Sequence, residues 1–170
     1  MQGKEKSAPV AMDRFHGIDA EALNAAERRS VVALALKALE ADFRPGASIA
    51  RPDDAREYLR LRLAGEAREV FGAMFLSTRH AVIATEHLFH GTIDSCSVYP
   101  RVVVQRALAH NAAAVMLFHN HPSGETTPSG ADTALTAKLR DALALVDVRL
   151  LDHLVVSSRG TASLAELNLL

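Results

Sequence analysis

A single cysteine, Cys96, is all that the 170-residue chain contains, so no disulfide can form within it. A lone cysteine suits a reducing compartment. An excess of one charge is missing too: 19 Lys and Arg stand against 20 Asp and Glu, for a formal net charge of -1. That balance argues against a protein whose main task is to coat nucleic acid, which usually shows as a basic surplus. No basic tract and no acidic tail interrupt it. No stretch approaches the roughly 18 apolar residues of a membrane helix. Residues 1–14 lack the apolar core of a secretory signal. The expectation is a soluble cytoplasmic protein with no membrane partner.

What the chain does have is apolar content, 49% of its residues, enough to fill one domain-sized core. Residues Met1 to about Gly17 are polar and mixed and read as a flexible tail. Ile18 to Asp42 has helical apolar spacing, stopped by Arg44-Pro45-Gly46. This helix would pack on the main domain or serve a homodimer; the pattern leaves both open. A second helix starts at Arg51-Pro52-Asp53-Asp54 and runs to about Leu63. Two strands follow between Val70 and Phe89, turning at Ser77 to His80. Pro100 stands at the start of a helix over Val102 to Asn111. Ala112 to Phe118 is a continuous apolar run, the mark of a buried central strand. Gly130 to about Val146 is helical, Leu150 to Ser157 is a strand, and Ala162 to Leu167 is a short last element. Mixed helices and strands predict an α/β or α+β class, a sandwich of sheet and helices. Residues 1–50 form a tail plus helix, and 51–170 form the main domain.

The informative stretch runs from His119 to Asp132, where the buried strand gives way to a helix. Side chains two apart on a strand point the same way, so His119 and His121 can present two imidazoles to one point. Asp132 falls in the first turn of the next helix, behind a loop long enough to fold it back. Two imidazoles and a carboxylate make a three-ligand zinc set with a fourth position left for water. Zinc lowers the pKa of such a water to about 7. Ser129 and Asp132 also have the spacing of a helix capping box, and both readings hold together if the cap aims the ligand. A two-histidine, one-carboxylate set suits iron as well.

Hydrolysis needs a general base beside the water. Glu57, Glu66, Glu69 and Glu86 precede the motif. Glu69 heads a strongly apolar strand and is the first choice; Glu86, inside a strand pattern, is the second. The plain alternative for such a glutamate is a solvated strand end. His153, beside Asp152 in a strand, reads as a structural histidine bonded to backbone, with support of a metal ligand as the alternative. Asn120 and Ser123 read as loop residues satisfied by loop hydrogen bonds, Cys96 as a small inert residue, and His16, His80, His87, His90 and His110 as surface residues. Arg56, Arg60, Arg62 and Arg68, set among Asp53, Asp54, Glu57, Glu66 and Glu69, read as a salt-bridged helix face.

At these residues the chain resembles the RadC-like branch of the JAMM (MPN-plus, or JAB) metalloprotease family. That family's motif is a distant Glu, then His-x-His, seven residues, Ser, two residues and Asp. It is matched here by Glu69, His119, His121, Ser129 and Asp132. His-Asn-His-Pro-Ser-Gly, Gly91-Thr92-Ile93, Val98-Tyr99-Pro100-Arg101 and Leu151-Asp152-His153-Leu154 are also like that branch. The similarity covers about Pro52 to Leu167. Two features depart from it. The stretch before Pro52 is too short for the complete helix-hairpin-helix module of full-length members, and Val102 follows Arg101 where an acidic residue is expected.

The resemblance implies a cytidine-deaminase-like fold, a curved mixed sheet sandwiched by helices. It implies that His119, His121 and Asp132 ligate Zn2+, that Glu69 holds the water and shuttles its proton, and that Ser129 supports the oxyanion on the attacked carbonyl. The expected activity is hydrolysis of a peptide or isopeptide bond in a peptide or protein substrate. The alternative is a DNA-repair-associated accessory protein of the RadC type, bound to DNA or a repair protein, with a structural or vestigial metal.

Overall fold

The computed structural model describes residues 15, 17–40, 52–92 and 96–170. The elements run α1 (Ala25–Glu40), α2 (Pro52–Leu63), β1 (Val70–Leu76), β2 (Val82–His90), α3 (Pro100–Ala109), β3 (Ala114–His121), α4 (Gly130–Ala144), β4 (Arg149–Ser157) and β5 (Gly160–Ser163). The expected tail before Gly17, apart from Phe15, and the Arg44-Pro45-Gly46 stop lie outside the described residues. So do His16 and Ile93.

The strands form one open sheet in the order β2-β1-β3-β4-β5. β3 runs antiparallel to β1 and parallel to β4, with α4 as the crossover. β1 and β3 lie inside the sheet between layers of helix. Apolar side chains therefore suit both of their faces, and the two strands read as near-continuous apolar runs. Val70, Met74 and Leu76 with Ala114, Met116 and Phe118 face one core, closed by Ala55, Tyr58, Leu59 and Leu63 of α2. Phe71, Ala73 and Phe75 with Val115 and Leu117 face the other, closed by Val103 and Ala107 of α3 and Leu139 and Leu143 of α4. The result is the helix–sheet–helix sandwich that alternation along β3 requires.

Gly72 marks the tightest point. A Cβ there would lie 2.3 Å from the Phe118 ring and 2.4 Å from the Glu86 carbonyl oxygen, so only glycine lets β1 sit between its neighbours.

Several boundaries differ from the expected ones. α1 begins at Ala25 instead of Ile18, because Asn24 caps it. Asn24 Oδ1 accepts from the backbone of Ala26 and Glu27, and Glu27 Oε2 accepts from Asn24 N, a reciprocal box. None of the α1 side chains described is buried, and the helix runs against α2. β3 extends through His121, so both histidines are strand residues. The last element is a hairpin strand on β4, from Gly160 to Ser163, followed by turns.

Two histidines expected at the surface are partly buried. His110 Nε2 lies 2.8 Å from Glu86 Oε1 and the ring packs 4.8 Å from Phe75. Arg62 Nε donates to His87 Nε2 at 3.3 Å, and burial lowers the pKa of that imidazole. Of the arginines on α2, Arg56 does pair with Asp53 at 2.9 Å, and it also binds Glu166 near the C-terminus. No helix among the described residues is long and apolar enough to cross a membrane.

Candidate metal centre

The odd-numbered side chains of β3 point toward α3 and α4, which puts His119 and His121 on the face that α4 covers. Pro122 follows, and a compact loop returns the chain to α4. Gly124 takes φ +86, which favours glycine, while Glu125 Oε1 accepts from Thr126 N, Thr127 N and Thr127 Oγ1 at 2.9–3.0 Å. Ser129 then caps α4: its Oγ accepts from Asp132 N at 3.1 Å, and Asp132 Oδ2 accepts from Ser129 N at 2.7 Å and from Ser129 Oγ at 2.6 Å. The capping box and the aiming of Asp132 are one device.

His119, His121 and Asp132 converge, with one donor atom from each lying within 4.8 Å of the others. His119 Nε2 is 2.9 Å from His121 Nε2 and 3.3 Å from Asp132 Oδ1, and His121 Nε2 is 3.6 Å from Asp132 Oδ2. Ligand atoms of a tetrahedral zinc site lie roughly 3.3 Å apart, given bonds of about 2.0–2.1 Å. His119 is only 1% exposed. Burial pulls its pKa down to about 4, so it is a neutral imidazole at neutral pH. His121 moves the other way, because the Asp132 carboxylate faces it. Burial would raise Asp132, but His121 and Ser129 outweigh it and hold the carboxyl below its usual range.

The donor chemistry fits a cation. His121 Nδ1 lies 3.0 Å from the Glu125 carbonyl oxygen, which can only accept, so Nδ1 carries the proton and Nε2 presents a lone pair. That lone pair, a second imidazole nitrogen and a carboxylate oxygen share one small space. A positive ion relieves what would otherwise be mutual repulsion.

Glu69 stands one residue ahead of β1, with its backbone tied to Thr92 and Gly91 at 2.8 Å. The β1–β3 register pairs Phe71 with His119. Carried two residues further, it sets Glu69 across from His121 on the same face. Its side chain lines a cleft of about 570 Å³ together with Cys96, His121, Ser129 and Asp132. The structure separates Glu86 from this site. Arg106 Nε donates to it at 2.7 Å beside His110, and those bonds lower its pKa to about 2. Cys96 is a partly buried thiol whose pKa is raised by burial and by Glu69. Ser129 points its hydroxyl proton at Asp132. A second cleft of about 650 Å³ shares His121 and Pro122 with the first and extends along Glu57, Arg60, Leu63 and Glu66.

Two side chains do more than their spacing implied. His153 is not bonded through its ring to backbone: Nε2 lies 2.9 Å from His119 Nδ1, and Nδ1 lies 2.6 Å from Thr136 Oγ1. Asn120 is a buried strand residue, not a loop residue. Its Oδ1 accepts from Val70 N at 2.7 Å and its Nδ2 donates to the Arg68 carbonyl at 3.0 Å, bracketing Glu69. Thr136 was not singled out by the motif. Its position four residues after Asp132, on the same helix face, was the signal available.

Residues 49–169 match the RadC-like JAB domain family. The chain is 54% identical over 145 residues to a UPF0758 protein of Polaromonas sp., covering 85% of this chain and 65% of the relative. It is 56% identical over 138 residues to UPF0758 protein Smlt0399 of Stenotrophomonas maltophilia, covering 81% and 59%. A UPF0758 protein of Halorhodospira halophila is 52% identical over 141 residues, covering 83% and 63%. The chain thus spans roughly three-fifths of the length of these curated relatives.

Proposed function

The chain belongs to the RadC-like JAB family, and we propose that it is a zinc-dependent hydrolase that cleaves an amide bond in a peptide or protein. The observation that carries this reading is the convergence of His119, His121 and Asp132 beside a cleft that Glu69 also lines. His119, His121 and Asp132 would hold the ion, which supplies Lewis acidity and makes water nucleophilic near neutral pH. Glu69 would accept the proton of the attacking water and pass it to the departing amine. Asp132 Oδ1 lies toward His119, while Oδ2, the oxygen nearer His121, takes the Ser129 bonds. Ser129 would first orient the carboxylate and then, by exchanging that bond, stabilise the oxyanion. Two clefts share His121 and Pro122, and together they would accept an extended chain.

The test is Glu69→Gln, measured for zinc content and for cleavage of a peptide library. Zinc near one per chain with cleavage down about 10²- to 10⁴-fold is expected. Unchanged turnover would remove Glu69 from its role. Iron in place of zinc, in protein purified without added metal, would overturn the hydrolytic reading.

A further inference from the structure

His119 Nδ1, on the side of the ring away from Asp132, meets His153. His153 is completely buried, with Thr136, also completely buried, on its other nitrogen. Thr136 Oγ1 lies 2.6 Å from the backbone carbonyl of Asp132 as well. The contacts therefore close a ring: His119 on β3, His153 on β4, Thr136 on α4, and back to Asp132. Phe71 seals it, with its ring 6.3 Å from His119 and 5.4 Å from His153.

We infer that Thr136 and His153 are positioning residues that set the tautomer of His119 and tie it to Asp132, so that both ligands meet the ion already oriented. This inference rests on the metal reading above.

Proton counting gives the mechanism. A threonine hydroxyl has one proton and two acceptors within reach, the Asp132 carbonyl and His153 Nδ1. If the proton goes to the carbonyl, His153 Nδ1–H donates to Thr136, and His119 Nδ1–H donates to His153 Nε2. His119 Nε2 is then a bare lone pair aimed at Asp132. If the proton goes to His153 instead, every bond reverses. His153 Nε2–H then donates to His119 Nδ1, and His119 Nε2–H is turned toward His121. Both directions hold the same number of protons. They differ in which nitrogen of each ring carries the proton, so the partner that takes the Thr136 proton settles which nitrogen of His119 is left bare. A metal-bound histidine commonly donates its other ring proton to a carboxylate or a carbonyl. A second neutral histidine serves here, because it can both accept and pass the direction on to threonine.

Thr136→Val keeps the shape and removes the hydroxyl, and Thr136→Ser keeps the hydroxyl. Zinc affinity is read by chelator competition in all three proteins. Side-chain nitrogen NMR of zinc-loaded wild type reads the tautomers directly. The expected result is zinc bound about 10–100-fold more weakly by Thr136→Val, near wild-type affinity in Thr136→Ser, and Nδ1–H tautomers at both His119 and His153. Wild-type affinity in folded Thr136→Val overturns the inference while leaving the metal reading intact. So does an Nε2–H tautomer at His153 in the loaded protein, which needs no variant to fold. Wild type that takes up no zinc overturns both. Zinc uptake without peptide cleavage overturns only the proposed activity.

Discussion

Asn120→Ala removes a side chain that carries the β1–β3 pairing past its last backbone rung. That ladder ends at Phe71 and His119, and the next amide toward β3, Val70 N–H, finds Asn120 Oδ1 at 2.7 Å. The amide orientation is fixed by its partners: Val70 N–H can only donate and the Arg68 carbonyl can only accept. Val70 is completely buried, so alanine at 120 leaves its N–H without a partner out of reach of water. An orphaned buried donor costs about 1–3 kcal/mol, and the lost bond to Arg68 adds about 1 kcal/mol. The sum, about 2–4 kcal/mol, corresponds to a Tm lower by roughly 5–15 °C for a chain of this length. Thermal unfolding followed by circular dichroism, in chelator so that no metal contributes, gives the number. Asn120→Asp keeps the acceptor for Val70 but sets a carboxylate against the Arg68 carbonyl, so it should be no better than alanine. A stability loss below about 0.5 kcal/mol in Asn120→Ala would refute this reasoning, because it would mean the backbone around Glu69 is held without the bracket.

Gly72→Ala drives a methyl into the Phe118 ring and the Glu86 carbonyl, both nearer than 2.5 Å. Because one obstacle is backbone, a cost of about 3 kcal/mol or more is expected, and a wild-type urea midpoint would contradict it. Glu86 has its pKa lowered from 4.5 to about 2 by Arg106, so its ion pair stabilises the fold above about 4.5 and fades as pH falls toward 2. Glu86→Gln should be less stable than wild type at pH 7, with the gap closing over that window in urea titrations. A gap that is constant with pH would point to packing instead of charge. Zinc at about a hundredfold over its Kd should add about 2.7 kcal/mol, roughly 5–10 °C in Tm, reversed by chelator and absent in His121→Ala.

The sandwich was legible because β1 and β3 are buried on both faces, so each reads as a near-continuous apolar run. The starts of α2 and α4 were legible for a different reason: Pro52 and Ser129 act locally, through fixed φ and capping, and need no tertiary partner. α1 was misplaced at its start because apolar spacing continues upstream of Asn24, while the reciprocal Asn24–Glu27 box decides the boundary. The clustering of His119, His121 and Asp132 was readable because strand alternation and a capping box are short-range rules. His153, Thr136 and Asn120 were not, since each acts on a residue brought alongside by the sheet. The β3–β4 register sets Leu117 against His153, and a shift between Val115 and Met116 decides which face His153 takes. No local pattern encodes that shift. The place of Glu86 was hidden on the same ground: its partner Arg106 comes from α3 and reaches it only once β2 is folded beside that helix.

The three candidate ligand side chains come from two elements, and each element has its own support. His119 rides on β3, where seven of the eight residues are buried. Asp132 is set by the Ser129 cap and by Leu139 and Leu143, whose burial anchors α4 against the sheet. A structural zinc site supplies folding energy to a chain too small for its own core. Here two apolar cores already hold both elements. The site therefore resembles one in which the fold presents ligands to a metal more than one in which the metal makes the fold. That order of cause suits catalysis. An ion not needed to hold the protein together would be free to keep a position for water, and the Ser129 cap on one side and His153 on the other would tune its candidate ligands.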